Sequence, residues 1–205
     1  MEVAAVLTIG HSTLPYERFL ELLRRANVTA VADVRTAPYS RQFPQFNREI
    51  LSNELRADGI AYVFLGKELG GRPSQRQFYC DGVADYERMS GTTEFGKGLE
   101  RVLDGAKKYR IALMCSERDP LDCHRCLLVG RALAHRGVRV SHILGDGQVV
   151  SHAGIEDKLL ELSGRSTGDF FAPDSERLAA AYRERARKVA FNEPQPDPGG
   201  PIAAE

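Results

Sequence analysis

The sequence predicts an α/β fold, a single domain built on a mostly parallel five-stranded sheet with helices on both faces. Two observations carry that expectation. Five short runs, at residues 3–9, 29–34, 60–65, 110–114 and 138–144, read as strands, the first continuous enough to be buried on both faces. Segments with apolar residues at helical spacing separate them, and parallel neighbours need crossovers of that kind. At 205 residues and 42% hydrophobic content, the chain is long enough for one sizeable core.

The first run ends at Gly10. Thr13 is a candidate N-cap, Pro15 falls in the first turn, and Phe19, Leu22, Leu23 and Ala26 recur on one helical face. After the second strand, residues 47–58 read as a helix stopped by Gly59, which leads into the third strand. Residues 66–92 then form a long excursion with a Gly70-Gly71 pair, as a functional loop or lid would. Phe95, Leu99, Val102, Leu103 and Ala106 mark the helix before the fourth strand. A further helix runs from about Pro120 to Gly137, with His135 and Arg136 in its last turn. Helices at 155–162 and 175–190 follow the fifth strand, so the domain spans 1–191, and the Pro/Gly-rich segment 192–205 reads as a disordered tail.

Charge excludes several classes. Lysine plus arginine equals aspartate plus glutamate at 28 each, so no overall field draws nucleic acid or an anionic membrane. The tail holds three acids and no base, leaving 28 basic against 25 acidic side chains, a mild +3, on residues 1–191. No apolar run approaches the roughly 20 residues of a membrane span, and the start lacks a signal-peptide pattern. A cytoplasmic protein is expected, and its four cysteines should then be thiols, metal ligands or core residues instead of disulfides.

Polar motifs fall where strands end, and sites in such sheets lie beyond the carboxyl ends of the strands. Gly10-His11-Ser12 follows the first strand: His11 is a candidate general acid or base, or else a backbone-bonded residue beside the helix cap. Asp33-Val34-Arg35 follows the second, with Pro38, Ser40 and Arg41. Arg35 and Arg41 suit carboxylate or phosphate, unless Asp33 pairs with one of them to fix the loop. Leu69-Gly70-Gly71-Arg72 brings backbone near a ligand or simply bends.

The richest segment runs from Met114 through Cys115, Ser116, Glu117, Arg118, Asp119, Pro120, Leu121, Asp122, Cys123 and His124 to Arg125. Asp119 as a cap and Pro120 at the first helical position would place Cys123 in the first turn, where the helix dipole, His124 and Arg125 favour thiolate while Asp119 and Asp122 oppose it. Cys126 shares a helix face with Val129 and Leu133 and reads as core. No cofactor is predicted. Zinc on Cys115, Cys123, His124 and Cys126 stays open as a less favoured reading, because the spacing fits no standard arrangement and neighbours on a helix point about 100° apart. A Cys123-x-x-Cys126 redox pair lacks the strand context such pairs have.

Together, Thr8-Ile9-Gly10-His11-Ser12, Asp33-Val34-Arg35 with Pro38, Ser40 and Arg41, Gly59-Ile60-Ala61-Tyr62 through Leu69-Gly70-Gly71, Met114-Cys115-Ser116-Glu117 with Pro120, Cys123-His124-Arg125 and Val140-Ser141-His142-Ile143 resemble the domain of unknown function 488 family, over about residues 6–145. The resemblance implies an α/β domain with a strand-end site and no settled biochemistry; Cys126 is outside the family pattern.

The resulting expectation is an enzyme acting on a phosphorylated or otherwise anionic compound, such as a nucleotide or a nucleic-acid end. Arg35, Arg41 and Arg125 would bind the anion; His11, Cys115, Glu117 and Cys123 would be catalytic; Ser12, Asp33, Ser40, Gly70, Gly71 and His124 would support them. The alternative is a non-catalytic module that binds an anion, nucleic acid or a protein. Neither the reaction class nor the oligomeric state is legible.

Overall fold

The inner strands of the sheet divide their apolar side chains between two helical layers. The structure, a computed structural model, describes residues 4–166 and 173–193. In chain order the elements are β1 (Ala5–Gly10), α1 (Tyr16–Arg25), β2 (Ala30–Asp33), α2 (Arg48–Ala57), β3 (Ala61–Phe64), α3 (Gly66–Leu69), β4 (Tyr79–Cys80), β5 (Val83–Ala84), α4 (Tyr86–Ser90), α5 (Thr93–Ala106), β6 (Ile111–Cys115), α6 (Arg131–His135), β7 (Arg139–Ile143), β8 (Val149–Ser151), α7 (His152–Leu162) and α8 (Asp174–Val189).

On one face Leu7, Ile9, Val31, Ala112 and Met114 meet Phe19, Leu22 and Leu23 of α1 and Leu51 and Leu55 of α2. On the other, Val6, Ala32, Leu113 and Cys115 meet Leu99 and Val102 of α5 and Leu127, Leu133, Ile155 and Leu159 further on. Alternate residues of one apolar run thus serve two cores, which is why the strands read as continuous hydrophobic segments. Among the described residues no helix is long and apolar enough to cross a membrane.

The main sheet has six strands, not five, in the order β3-β2-β6-β1-β7-β8. Five are parallel; β8 is antiparallel to β7 and was not expected, because its Val149-Val150-Ser151 is too short to stand out. The excursion at 66–92 is structured, with α3, the β4-β5 hairpin and α4. Asn192 and Glu193, assigned to the tail, belong to the fold: Asn192 bridges Val83, and Glu193 N donates to Gly82 O at 2.7 Å. Residues 194–205 of that tail lie outside the described residues.

This order creates a crevice. From β2 the chain crosses by α2 to β3 on one side of the sheet, and from the adjacent β6 it crosses by α6 to β7 on the other. Neighbouring strands whose crossovers leave in opposite directions open a gap at their carboxyl ends. Arg35 and Cys115 stand at that gap.

Candidate functional site

The floor of the crevice is built where β6 ends. Asp119 accepts from Leu121 N at 2.8 Å and opens a single 3-10 turn, Pro120–Asp122. The cap and proline act as the sequence predicts, but the helix does not continue. Cys123 is extended, with φ −136° and ψ 137°, and a π-helical stretch, Arg125–Gly130, then leads into α6. Cys123 O accepts from Cys126 N and Leu127 N, and its Sγ lies 3.5 Å from Arg125 N, so Cys123 stands before the second helical segment in the manner of an N-cap.

The break turns Cys123 and His124 toward one point. Cys115 Sγ and Cys123 Sγ each lie 2.9 Å from Glu117 Oε2. His124 Nδ1 is 3.6 Å from Cys115 Sγ and 4.0 Å from Cys123 Sγ, and the four donor atoms fall within 4.8 Å of one another. His124 Nε2 donates to Val34 O at 2.9 Å, so in the neutral ring it is the Nδ1 lone pair that faces the thiols. Cys123 and His124 are therefore not two helical neighbours pointing apart, although the ligand spacing still matches no standard arrangement, and Glu117 stands where Cys126 was weighed.

Two glycines permit this packing. A Cβ on Gly71 would sit 2.6 Å from His124 Cγ, and one on Gly10 would sit 1.9 Å from Glu117 O. Behind the loop, Arg125 is fully buried: Nη1 donates to Glu117 O at 2.7 Å and Nη2 to Arg118 O at 3.1 Å. It holds the backbone of Glu117 and Arg118 and does not line the cavity above the cluster, contrary to its expected place in an anion clamp.

Burial pushes the Cys115 thiol well up. It also raises Glu117, helped by the neighbouring Cys123. Burial acts on Cys123 in the same sense but is outweighed by the Cys115 hydrogen bond, Arg125 and His124, which carry that thiol well below its usual range.

A second cluster forms one wall. Arg35 Nε and Nη2 meet Asp33 at 2.9 and 2.6 Å, Nη2 also donates to Phe46 O, and Nη1 lies 3.3 Å from His11 Nε2. Tyr62 donates to Asp33 as well, at 2.8 Å. His11 stacks on Phe46 at 4.1 Å and donates from Nδ1 to Ser12 O; burial, and then Arg35, lowers its pKa to about 4. The Asp33–Arg35 pair weighed from sequence is therefore present, and His11 backs the arginine instead of facing the cavity.

The cavity is about 200 Å³ and is lined by Arg35, Thr36, Arg72, Tyr86, Cys115, Glu117 and His124 among others. Ser116 and Gly71 also line it. Ser12 packs at the β1 end, where its N–H donates to Ser116 O, and Ser40 and Asn47 brace the loop after β2. Gly70 lies against Thr36, while Arg41 is exposed and away from the cavity. Arg72 and Tyr86 were missed as site residues: they lie in the 66–92 excursion, whose path no periodicity reveals.

Cys126 is core, as expected, at 0% exposure. It adjoins a buried chain in which Thr8 Oγ1 meets His142 Nδ1 at 2.8 Å, His142 Nε2 meets His152 Nδ1 at 2.9 Å, and Tyr182 meets His152 Nε2 at 3.0 Å and donates to Glu156 at 2.9 Å. Single-proton tautomers satisfy every ring nitrogen in it, so the chain accounts for its own burial.

A family model described as domain of unknown function DUF488 matches residues 15–132, more than half of the chain. No curated protein and no solved structure matches it. The matched stretch contains both clusters' principal side chains, from Asp33 and Arg35 to Cys115, Glu117, Cys123 and His124.

Proposed function

Since the chain belongs to the DUF488 family, whose description names no activity, we propose from the site itself that this protein is a metal-dependent enzyme with a zinc-class centre on Cys115, Cys123 and His124. Glu117 is its fourth, exchangeable donor, and the substrate is an anionic molecule entering the cavity above. The observation that carries this reading is the convergence of two sulfurs, an imidazole lone pair and a carboxylate within 4.8 Å.

Distances support it. Tetrahedral zinc, with bonds of about 2.3 Å to sulfur and about 2.1 Å to nitrogen, sets S and N about 3.6 Å apart; the two S–N separations are 3.6 and 4.0 Å. Sulfur and carboxylate oxygen should be about 3.5 Å apart on the same geometry, whereas both S–O contacts are 2.9 Å. Glu117 is thus the donor that must withdraw as a cation enters, and it is also the one donor residue of the four that is not buried. His124 is oriented by a backbone carbonyl, the usual outer support of a ligating histidine.

A Cys2His set leaves room for a fourth ligand, and a cation held there would supply Lewis acidity. The protein's own contributions are the fixed loop, held by Arg125, and the cationic wall, held by Asp33 and His11. Glu117, beside the reacting position and raised in pKa by burial, is suited to carry a proton when it is off the metal.

Metal analysis of the purified protein tests the reading. Stoichiometric zinc is expected, lost in Cys115→Ser, Cys123→Ser and His124→Ala and retained with weaker affinity in Glu117→Gln. Protein that stays metal-free in zinc buffer and instead forms a reversible Cys115–Cys123 disulfide would replace the metal centre with a dithiol redox site.

A further inference from the structure

The cavity wall carries more cationic and donor capacity than the metal cluster needs. Arg72 is exposed, and among the described residues its guanidinium has no carboxylate partner. It is nevertheless held in place, with its N–H on Thr36 Oγ1 at 3.1 Å and its guanidinium 4.7 Å above the Phe191 ring. Phe191 is fixed in turn by its carbonyl, which accepts from Ala84 N at 2.9 Å. Positioning of this kind immobilises a charge without neutralising it.

Tyr86 is 7% exposed, lines the same cavity, and its hydroxyl has no hydrogen-bond partner among the described residues. It shares that lining with Cys115 and Glu117 of the cluster and with Arg72. A hydroxyl that opens on a polar cavity from a nearly buried ring suits a ligand acceptor. Arg35, 4% exposed, forms the third side, with Asp33 holding Nε and Nη2 and only the weaker 3.3 Å contact to His11 on Nη1. The other acid on the wall, Asp122, is paired with Arg185.

We infer that Arg35, Arg72 and Tyr86 form a cradle for an oxyanion, a carboxylate or phosphate group of the substrate, beside the Cys115/Cys123/His124 centre. The inference deepens the metal-centre reading and rests on it for what the anion sits beside. About 200 Å³ admits the anionic head. Thr36 and Arg72 also line an adjoining cavity of about 570 Å³ with Phe78, Met89 and Phe95, where a larger and partly apolar remainder fits. Phe191, which holds Arg72, lies beyond the family-matched residues 15–132. The cradle is therefore completed by a part of the chain that the family model does not describe.

Titration calorimetry and thermal melts of the full chain, as purified and after chelation, provide the test, with inorganic phosphate and acetate as probes. At least one anion should raise the melting temperature with a dependence on its concentration. Arg72→Ala should weaken binding about tenfold or more and Tyr86→Phe several-fold, the scale of hydrogen bonds to a charged group, with zinc content unchanged in both. Preference for phosphate over acetate, or the reverse, assigns the head group. Anion binding by protein that purifies without zinc and takes up none, still lost in Arg72→Ala, would uphold the cradle while the metal reading fails. Retained zinc with no response to either anion, or with binding unaltered in both variants, would overturn the cradle.

Discussion

Gly71→Ala probes the metal site without touching a ligand. The added Cβ would lie 2.6 Å from His124 Cγ and 2.8 Å from Nδ1, where ordinary contact begins at 3.4 Å, so the ring must retreat by about 0.8 Å. It has little room to do so, because His124 is 8% exposed and its Nε2 is tied to Val34 O at 2.9 Å. Metal–ligand bonds tolerate displacements of only about 0.2 Å, so the lone pair is carried off its target and zinc affinity should fall by about 10–100-fold, the scale of outer-support losses. Overpacking should cost about 1–3 kcal/mol, offset in part by the roughly 0.4–1 kcal/mol that alanine gains through the unfolded chain. Chelator competition reads the affinity, and urea unfolding with chelator present reads the stability. Gly91→Ala is the matched control, since its nearest neighbours lie at 3.7 and 4.0 Å and should leave both quantities near wild type. If Gly71→Ala binds zinc as tightly as wild type, His124 is not a ligand and the proposed centre is wrong.

The chelated protein should also lose stability in acid through its buried histidines. His11 and His152 are lowered to about 4 and His142 to about 3, by burial first and then by Arg35, His135 and His152 respectively. Their folded values lie below the unfolded value of 6.5, so the unfolded chain binds more protons; the stabilisation is complete above that pH and is lost as pH falls toward about 4 and then about 3. Urea midpoints that stay level between pH 7 and pH 5 would contradict this, since each histidine should contribute on the order of 1 kcal/mol per pH unit there. Arg125→Met should destabilise the fold by about 1–3 kcal/mol, because the carbonyls of Glu117 and Arg118 lose their donors. An unchanged urea midpoint in that variant would remove Arg125 from its role as the loop's anchor.

Much of the fold is legible because the inner parallel strands must be apolar on both sides. Leu7 and Ile9 face one layer and Val6 the other, so the run reads as unbroken hydrophobicity. β8 escaped because three residues at an edge need only one covered face, although Gly147, with φ +94°, marks the turn that returns the chain to β7. The excursion at 66–92 escaped for a related reason. Its pieces are held by particular contacts, such as Tyr79 donating to Pro73 O and Asp85 accepting from Glu87 N, and neither contact has a period.

The site shows where spacing arguments stop. Cys115, Glu117, Cys123 and His124 are visible as a dense polar segment, but their chemistry turns on one residue's backbone. With Cys123 helical, its side chain and that of His124 diverge; with Cys123 at φ −136° they converge on Cys115 and Glu117. Asp119 and Pro120 announce a helix truthfully and say nothing of its ending after one turn. What ends it is tertiary: Leu121 is buried in the core, Arg185 from α8 donates to Leu121 O at 3.0 Å, and Arg125 is drawn under the Glu117 loop. The same long-range packing brings Arg72 and Tyr86 over the cluster while it consigns Arg125 to the interior. A guanidinium near a thiol in sequence is therefore weak evidence for an anion site, and one fixed by an aromatic ring, with no acid among the described residues to neutralise it, is much stronger.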